Sequence, residues 1–304
     1  MLPRLRLSPN GPECSRVAYG TWRLLDHAES AAPRALLERL QRCADLGLTT
    51  IDTAEIYGGY RVEEALGAAL ALDKGLRARL EIVTKAGIYV PNTFHRDRKV
   101  SYYDASGARL IKSAEKSLRF LGVDHLDLLL VHRPDWLTGP DDTADGLNRL
   151  IQDGKIRSAG VSNHSVHQFE ALNARVSQPL VTNQVELSLL HMEPIFDGVT
   201  DQCQRLGIAP MTWSPLAQGR LMRTDDDAAV RVQTVAAEMA PRYDGATADQ
   251  LAYAWILAHP SRPLPIIGSN RIDHIESAVR AAGIALSRED WYALWTAAQG
   301  RRIP

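Results

Sequence analysis

Thr50-Ile51-Asp52-Thr53-Ala54-Glu55-Ile56-Tyr57-Gly58 sets a carboxylate at the end of a short apolar run and a phenol five residues later. Two further apolar runs end in the same manner, Glu81-Ile82-Val83-Thr84-Lys85 in a lysine and Asp127-Leu128-Leu129-Leu130-Val131-His132 in a histidine. Read as successive parallel strands, they deliver Asp52, Tyr57, Lys85 and His132 to one end of one sheet. That end is where α/β folds gather ligands and chemistry.

Outward from this stretch the same unit recurs. Val17 to Trp22 reads as a first strand and Ala31 to Leu46 as its helix, with apolar residues at helical spacing and Gly47 as a stop. Thr49 to Asp52 is followed by a helix over Val62 to Leu72, Glu81 to Lys85 by one over Ala108 to Leu121, and Asp127 to His132 by one near Asp142 to Gln152. The strands Ile156–Val161, Leu180–Gln184, Ala209–Trp213 and Leu264–Ile267 continue the series, with helices over Ser165–Ala174, Pro194–Leu206, up to Leu257, and Ile272–Ala282. Eight alternations joined by short turns predict an α/β chain folded as one (β/α)8 TIM barrel over residues 1–304. An extra C-terminal helix over Ser287–Ala298 follows, and Leu5–Pro12 reads as an N-terminal hairpin or cap. A doubly wound dinucleotide fold requires a Gly-x-Gly-x-x-Gly turn after an early strand, and neither Gly58-Gly59 nor Gly20-Thr21-Trp22 has that spacing.

The composition fits an ordinary globular protein: 304 residues, 45% apolar, net charge -1 from 35 basic and 36 acidic side chains. Such balance argues against an extended face for nucleic acid, and no apolar run approaches the ~18 residues of a membrane span. Met1 to Leu7 lacks the apolar core of a secretory leader. Cys14, Cys43 and Cys203 are odd in number, widely spaced and without metal-ligand spacing, and read as reduced cysteines of a cytoplasmic protein. No metal is expected.

The four strand-end residues suit proton transfer. A phenol has an ordinary pKa of ~10, so Tyr57 needs a neighbouring ammonium to stabilise its phenolate, and Lys85 is placed to supply one. Asp52 offsets the desolvation of Lys85 and fixes its direction. His132 offers a hydrogen bond to a substrate oxygen or to Tyr57, its tautomer open.

These motifs are joined by Gly160-Val161-Ser162-Asn163, Thr182-Asn183-Gln184-Val185-Glu186, Trp213-Ser214-Pro215-Leu216 and Pro265-Ile266-Ile267-Gly268-Ser269. In this order, over nearly the whole chain, they resemble the aldo-keto reductase family, in particular its bacterial NADP-dependent oxidoreductases. The resemblance implies reduction of aldehydes or ketones to alcohols with NADPH, NADH being less favoured. It implies a tetrad in which Tyr57 is the general acid, Lys85 lowers its pKa, Asp52 orients Lys85 and His132 orients the carbonyl.

The same resemblance implies a cofactor site. Gly20, Thr21 and Trp22 match the first-strand entry to it, and Ser162, Asn163 and Gln184 the carboxamide-binding positions. Trp213 stands where the family commonly stacks a tyrosine on nicotinamide, and Ser214 and Leu216 lie on the loop over the pyrophosphate. Gly268, Ser269 and Arg271 fall at the adenosine end, where Arg271 offers charge to a 2′-phosphate. There His274 replaces a common arginine, and Ser277 and Ala278 replace a Glu-Asn pair that holds adenine. The long segment Gly87–Gly107 reads as a substrate loop, with Arg96-Asp97-Arg98-Lys99 as a solvated charge run and Tyr102 and Tyr103 facing substrate. The implied partner is a small carbonyl or alcohol, with no nucleic acid or membrane. The alternative is a nicotinamide-binding regulatory or interaction subunit on the same scaffold.

Overall fold

A computed structural model describes residues 2–92 and 99–303. Strand β1 (Arg4–Arg6) pairs antiparallel with β2 (Glu13–Ser15), forming the opening hairpin. Strands β3 (Ala18–Gly20), β4 (Thr50–Asp52) and β5 (Glu81–Ala86) then run parallel. A second hairpin follows, β6 (Ile88–Tyr89) with β7 (Tyr102–Tyr103). Strands β8 (Leu128–Val131), β9 (Ala159–Ser162), β10 (Asn183–Glu186), β11 (Met211–Trp213) and β12 (Leu264–Ile267) complete a closed eight-stranded barrel, ordered β10-β11-β12-β3-β4-β5-β8-β9.

Alternation along each strand divides its residues between two packed layers. Ala18, Val83, Leu128, Leu130, Met211, Leu264 and Ile266 form the inner set, which packs with Leu5, Leu7 and Cys14 of the opening hairpin. The intervening Tyr19, Ile51, Ile82, Leu129, Val131, Val161 and Ile267 pack outward against the helices. The hairpin therefore plugs the amino end of the barrel, with Leu7 O accepting from Ala209 N at 2.7 Å. Two residues beyond inner Val83, Leu130 and Met211 come Lys85, His132 and Trp213. The same alternation that fills the barrel thus turns these side chains into its carboxyl-end mouth.

Helices cover the outside. The helix Gly107–Leu121 starts at Ser106, whose hydroxyl accepts from Arg109 N, and stops at Gly122 in the left-handed region (φ 67°). Gly107 and Gly146 let this helix and Pro140–Gln152 approach so closely that a Cβ on Gly146 would lie 2.3 Å from Gly107 Cα. The C-terminal helix Arg288–Gln299 is capped by Ser287, and its Trp291 stacks on Trp255 with ring centroids 4.8 Å apart. No helix among the described residues is long and apolar enough to cross a membrane.

Three expectations change. The segment Gly87–Gly107 is not wholly loop: its ends pair as β6 and β7, with Tyr89 stacked on Tyr102 at 4.6 Å. These short aromatic strands are separated by a polar stretch too long to announce a hairpin. Of the charge run, Arg96, Asp97 and Arg98 lie outside the described residues. The sixth strand begins at Asn183 instead of Leu180, and the helix expected over Pro194–Leu206 is two helices, Glu193–Phe196 and Val199–Leu206, divided at Gly198 (φ 88°).

Candidate active site

Lys85 lies at the centre of the barrel mouth, 1% exposed. Its Nζ donates to Asp52 Oδ2 at 2.7 Å, to the Thr53 carbonyl at 2.9 Å and to Tyr57 Oη at 3.0 Å. Those three bonds use all the donors of an ammonium. Asp52 Oδ1 is held from the opposite wall by Gln184 Nε2 at 2.8 Å. Burial works against the charge on Lys85, but Asp52 and Tyr57 outweigh it and keep its pKa above the ordinary value. Burial pushes the Tyr57 phenol upward; Lys85 pulls it down, and Asp52 pushes it up again. The net shift is upward, so Lys85 exerts the expected effect without prevailing, and Tyr57 carries its proton at neutral pH.

Local backbone explains the position of Tyr57. Gly58 and Gly59 adopt φ of 53° and 66°, and a Cβ on Gly58 would meet Leu25 Cδ1 at 2.4 Å. The turn can therefore close only through glycine, which keeps the phenol facing the mouth. Trp22 packs edge-on against Tyr57 with centroids 4.8 Å apart while remaining 59% exposed. The His132 ring centroid lies 6.0 Å from that of Tyr57, and its buried Nδ1 has no hydrogen-bond partner among the described residues. Burial, then the charges of Lys85 and Arg133, hold the His132 pKa well below the ordinary imidazole value. It is a neutral ring.

A second network adjoins the first. Ser162 Oγ donates to the Gln184 carbonyl at 2.9 Å, so it accepts from Asn163 Nδ2 at 2.8 Å. Trp213 Nε1, a donor only, bonds Asn163 Oδ1 at 3.1 Å. The two contacts fix the Asn163 amide in one orientation and leave its second N–H free of these bonds. The half-buried Trp213 indole remains at the rim, with the Arg133 guanidinium 5.9 Å from its ring centroid. His164 is buried behind them, its pKa pushed down to about 4 by burial and its Nδ1 at 3.0 Å from the Ser162 carbonyl.

Farther along, Ser214 has φ 54° and its carbonyl accepts from Ala217 N, which turns the chain over Leu216. Arg220 is paired with Asp226 at 2.9 Å. At the end of β12, Gly268 is open: a Cβ there would meet nothing within 4 Å. Ser269 Oγ contacts His274 Nδ1 at 3.0 Å and accepts from Arg271 N at 3.2 Å. Arg271, 68% exposed, is paired with Asp273. Ser277 is buried and donates to Asp249 at 2.7 Å, so its hydroxyl is directed away from this opening. Gly20 and Thr21 serve the backbone: a Cβ on Gly20 would strike Ile266 Cγ2 at 2.6 Å, and Thr21 N donates to the Asp52 carbonyl at 2.9 Å.

Residues 16–298 match the model of the aldo/keto reductase family. The chain belongs to this family. It is 43% identical over 304 residues to oxidoreductase YdhF of Escherichia coli, covering 100% of both chains. It is 38% identical over 291 residues to a 6-dehydroglucose reductase of Agrobacterium fabrum, covering 96% of each. A crystal structure of an aldo/keto reductase from Klebsiella pneumoniae in complex with NADP and acetate superposes with a TM-score of 0.75 at 29% identity, covering 95% of this chain and 94% of that one.

In this aldo/keto reductase several charged groups near the mouth carry no sequence pattern of their own. Glu55, inside the opening motif, is buried and forms an ion pair with Arg109 at 2.9 Å; it also accepts from Gly87 N at 3.1 Å. Arg109 in turn lies over the Tyr89 ring at 4.1 Å. The pair ties the Tyr57 turn to the β6–β7 hairpin. Glu63 is buried against Thr84 and Ser117, which donate to it at 2.7 and 3.0 Å. Only the partners brought from distant elements distinguish these carboxylates from surface ones.

Proposed function

We propose that this chain, acting as one barrel domain, reduces aldehydes or ketones to alcohols with NADPH: carbonyl + NADPH + H+ gives alcohol + NADP+. The observation that carries the reading is the buried chain Asp52–Lys85–Tyr57 lying beside a neutral His132 at the barrel mouth. The neutral imidazole of His132, the remaining N–H of Asn163 and the flat face of Trp213 fit a nicotinamide and a carbonyl between them. When bound, the dihydronicotinamide supplies the hydride, which no side chain can.

The residues then divide the work. Tyr57 Oη gives its proton to the carbonyl oxygen as that oxygen gains charge. Lys85 stabilises the phenolate left behind, and Asp52, held by Gln184, fixes the ammonium. Neutral His132 donates a hydrogen bond to the same oxygen, so no second charged acid competes with Tyr57. In the reverse direction the Tyr57 phenolate takes the proton from an alcohol. Asn163, with its amide orientation set by Ser162 and Trp213, holds the carboxamide, and Trp213 backs the ring.

At the far end, Ser269 and Arg271 favour a 2′-phosphate and hence NADPH over NADH. The Arg271–Asp273 pair is exposed, and such pairs are worth ~0–1 kcal/mol, so a phosphate dianion readily displaces the carboxylate. The NADP-bound Klebsiella relative supports this choice. We also place the protein in the cytoplasm, where the buried free thiols of Cys14, Cys43 and Cys203 would stay reduced.

Steady-state rates with aldehydes, ketones and sugar-derived carbonyls, in NADPH and NADH, test the reading. Substrate-dependent loss of nicotinamide absorbance, faster with NADPH, is the expected result. Cofactor binding without turnover of any carbonyl would defeat it.

A further inference from the structure

Charged side chains around the mouth are paired with few exceptions: Lys85 with Asp52, Arg109 with Glu55, Arg220 with Asp226 and Arg271 with Asp273. Arg133 and Glu186 have no such direct pair, although the charges of His191, Arg133 and Arg220 reach Glu186. Both are half-buried, and neither side chain has a hydrogen bond, or an ion pair within 4.0 Å, among the described residues. Arg133 follows His132 at the end of β8, yet its guanidinium reaches Trp213 on β11, so it arches over the ends of β9 and β10. Glu186 ends β10 directly opposite Trp213 in register and shares the inward parity of Gln184, whose amide reaches Asp52.

Resting on the carbonyl-reductase reading, we propose that Arg133 and Glu186 are a donor–acceptor grip for substrate hydroxyl groups, which makes hydroxylated aldehydes and ketones the substrate class. A guanidinium only donates and a carboxylate only accepts, whereas a hydroxyl does both. Adjacent hydroxyls on one substrate satisfy two groups that stand too far apart to satisfy each other. A wholly apolar aldehyde would strip water from both charges and return no hydrogen bond. A carboxylate-bearing aldehyde would gain Arg133 but meet repulsion from Glu186. The positive charge of Arg133 also reaches Tyr57 and His132, consistent with a position over the reacting carbonyl.

The test compares glyceraldehyde, propanal and succinic semialdehyde with NADPH in the wild type, Arg133→Met and Glu186→Gln. Hydration of the aldehydes cancels when variants are compared on the same substrates. The wild type is expected to favour glyceraldehyde over propanal by about 10-fold or more in kcat/KM; Arg133→Met should collapse that ratio toward one, and Glu186→Gln, whose amide keeps a weaker acceptor, should lower it. Glu186→Gln, nearly isosteric, keeps the test decisive if Arg133→Met fails to fold. Unchanged ratios in folded variants, with turnover intact, overturn the grip alone. Preference for succinic semialdehyde, lost in Arg133→Met and raised in Glu186→Gln, overturns it in favour of an anion site. Absence of turnover on all three overturns both the grip and the reductase reading beneath it.

Discussion

At the residue scale, Lys85 is where stability and chemistry meet. Lys85→Met would leave the Asp52 carboxylate buried with only Gln184 for support, and breaking a buried pair from one side costs about 3–5 kcal/mol. Adding Asp52→Asn removes the stranded charge, so the double variant should recover part of that loss in urea denaturation; a double variant as unstable as the sum of the two singles would deny the coupling. Tyr57→Phe tests a different property of the same cluster. It keeps the ring against Trp22 and removes the hydroxyl that carries the proton, so turnover should fall by about 10²-fold or more while NADPH titration by fluorescence is unaltered. Retained turnover would exclude Tyr57 as the acid. Asp52, Tyr57, Lys85 and His132 are legible in the sequence because each ends an apolar run or sits at a fixed step beyond one. Arg133 is not: beside a histidine in a Pro-Asp turn it has the appearance of any loop arginine, and only its reach to Trp213 sets it apart.

At the scale of elements, the helix Val62–Leu70 shows how packing changes a residue's chemistry. Glu63 and Glu64 read alike, as acids in a helix's first turn, yet Glu63 faces β5 and the helix Gly107–Leu121 while Glu64 does not share that burial. Burial lifts the Glu63 pKa from 4.5 to about 7; hydrogen bonds from Thr84 and Ser117 oppose the rise, the charge of Glu55 adds to it and that of Lys116 opposes it. Since the folded state holds this proton more tightly than the unfolded chain, stability is fully present below pH 4.5 and is lost as pH rises toward 7. The span is about 3 kcal/mol. Glu63→Gln should remove that slope, becoming the more stable protein at pH 8 relative to its standing at pH 4.5; parallel urea midpoints at both pH values would refute the assignment. Strands and helices themselves are largely legible, since alternation and helical spacing are local. The β6–β7 hairpin is not, because its pairing depends on contacts such as Arg109 over Tyr89 that no window of sequence contains.

For the whole molecule, the closed barrel separates its two ends. Repetition of the strand–helix unit announces the architecture, but closure between β12 and β3 is a property of all eight strands and has no local signature. The opening hairpin carries the other consequence. Leu5, Leu7 and Cys14 complete the inner layer from the end opposite Lys85, and Leu7 is 0% exposed. Leu7→Ala would leave a cavity beneath Leu128, Leu130 and Met211 that the surrounding strands cannot collapse to fill, at a cost of about 2–5 kcal/mol. Because the barrel mouth is built on the opposite ends of those strands and Leu7 touches none of its groups, kcat/KM measured well below the unfolding transition should remain that of the wild type. A large loss of stability with intact turnover would show the hairpin to be a plug. Loss of turnover in the folded variant would instead mean that the inner layer transmits strain from one end of the barrel to the other.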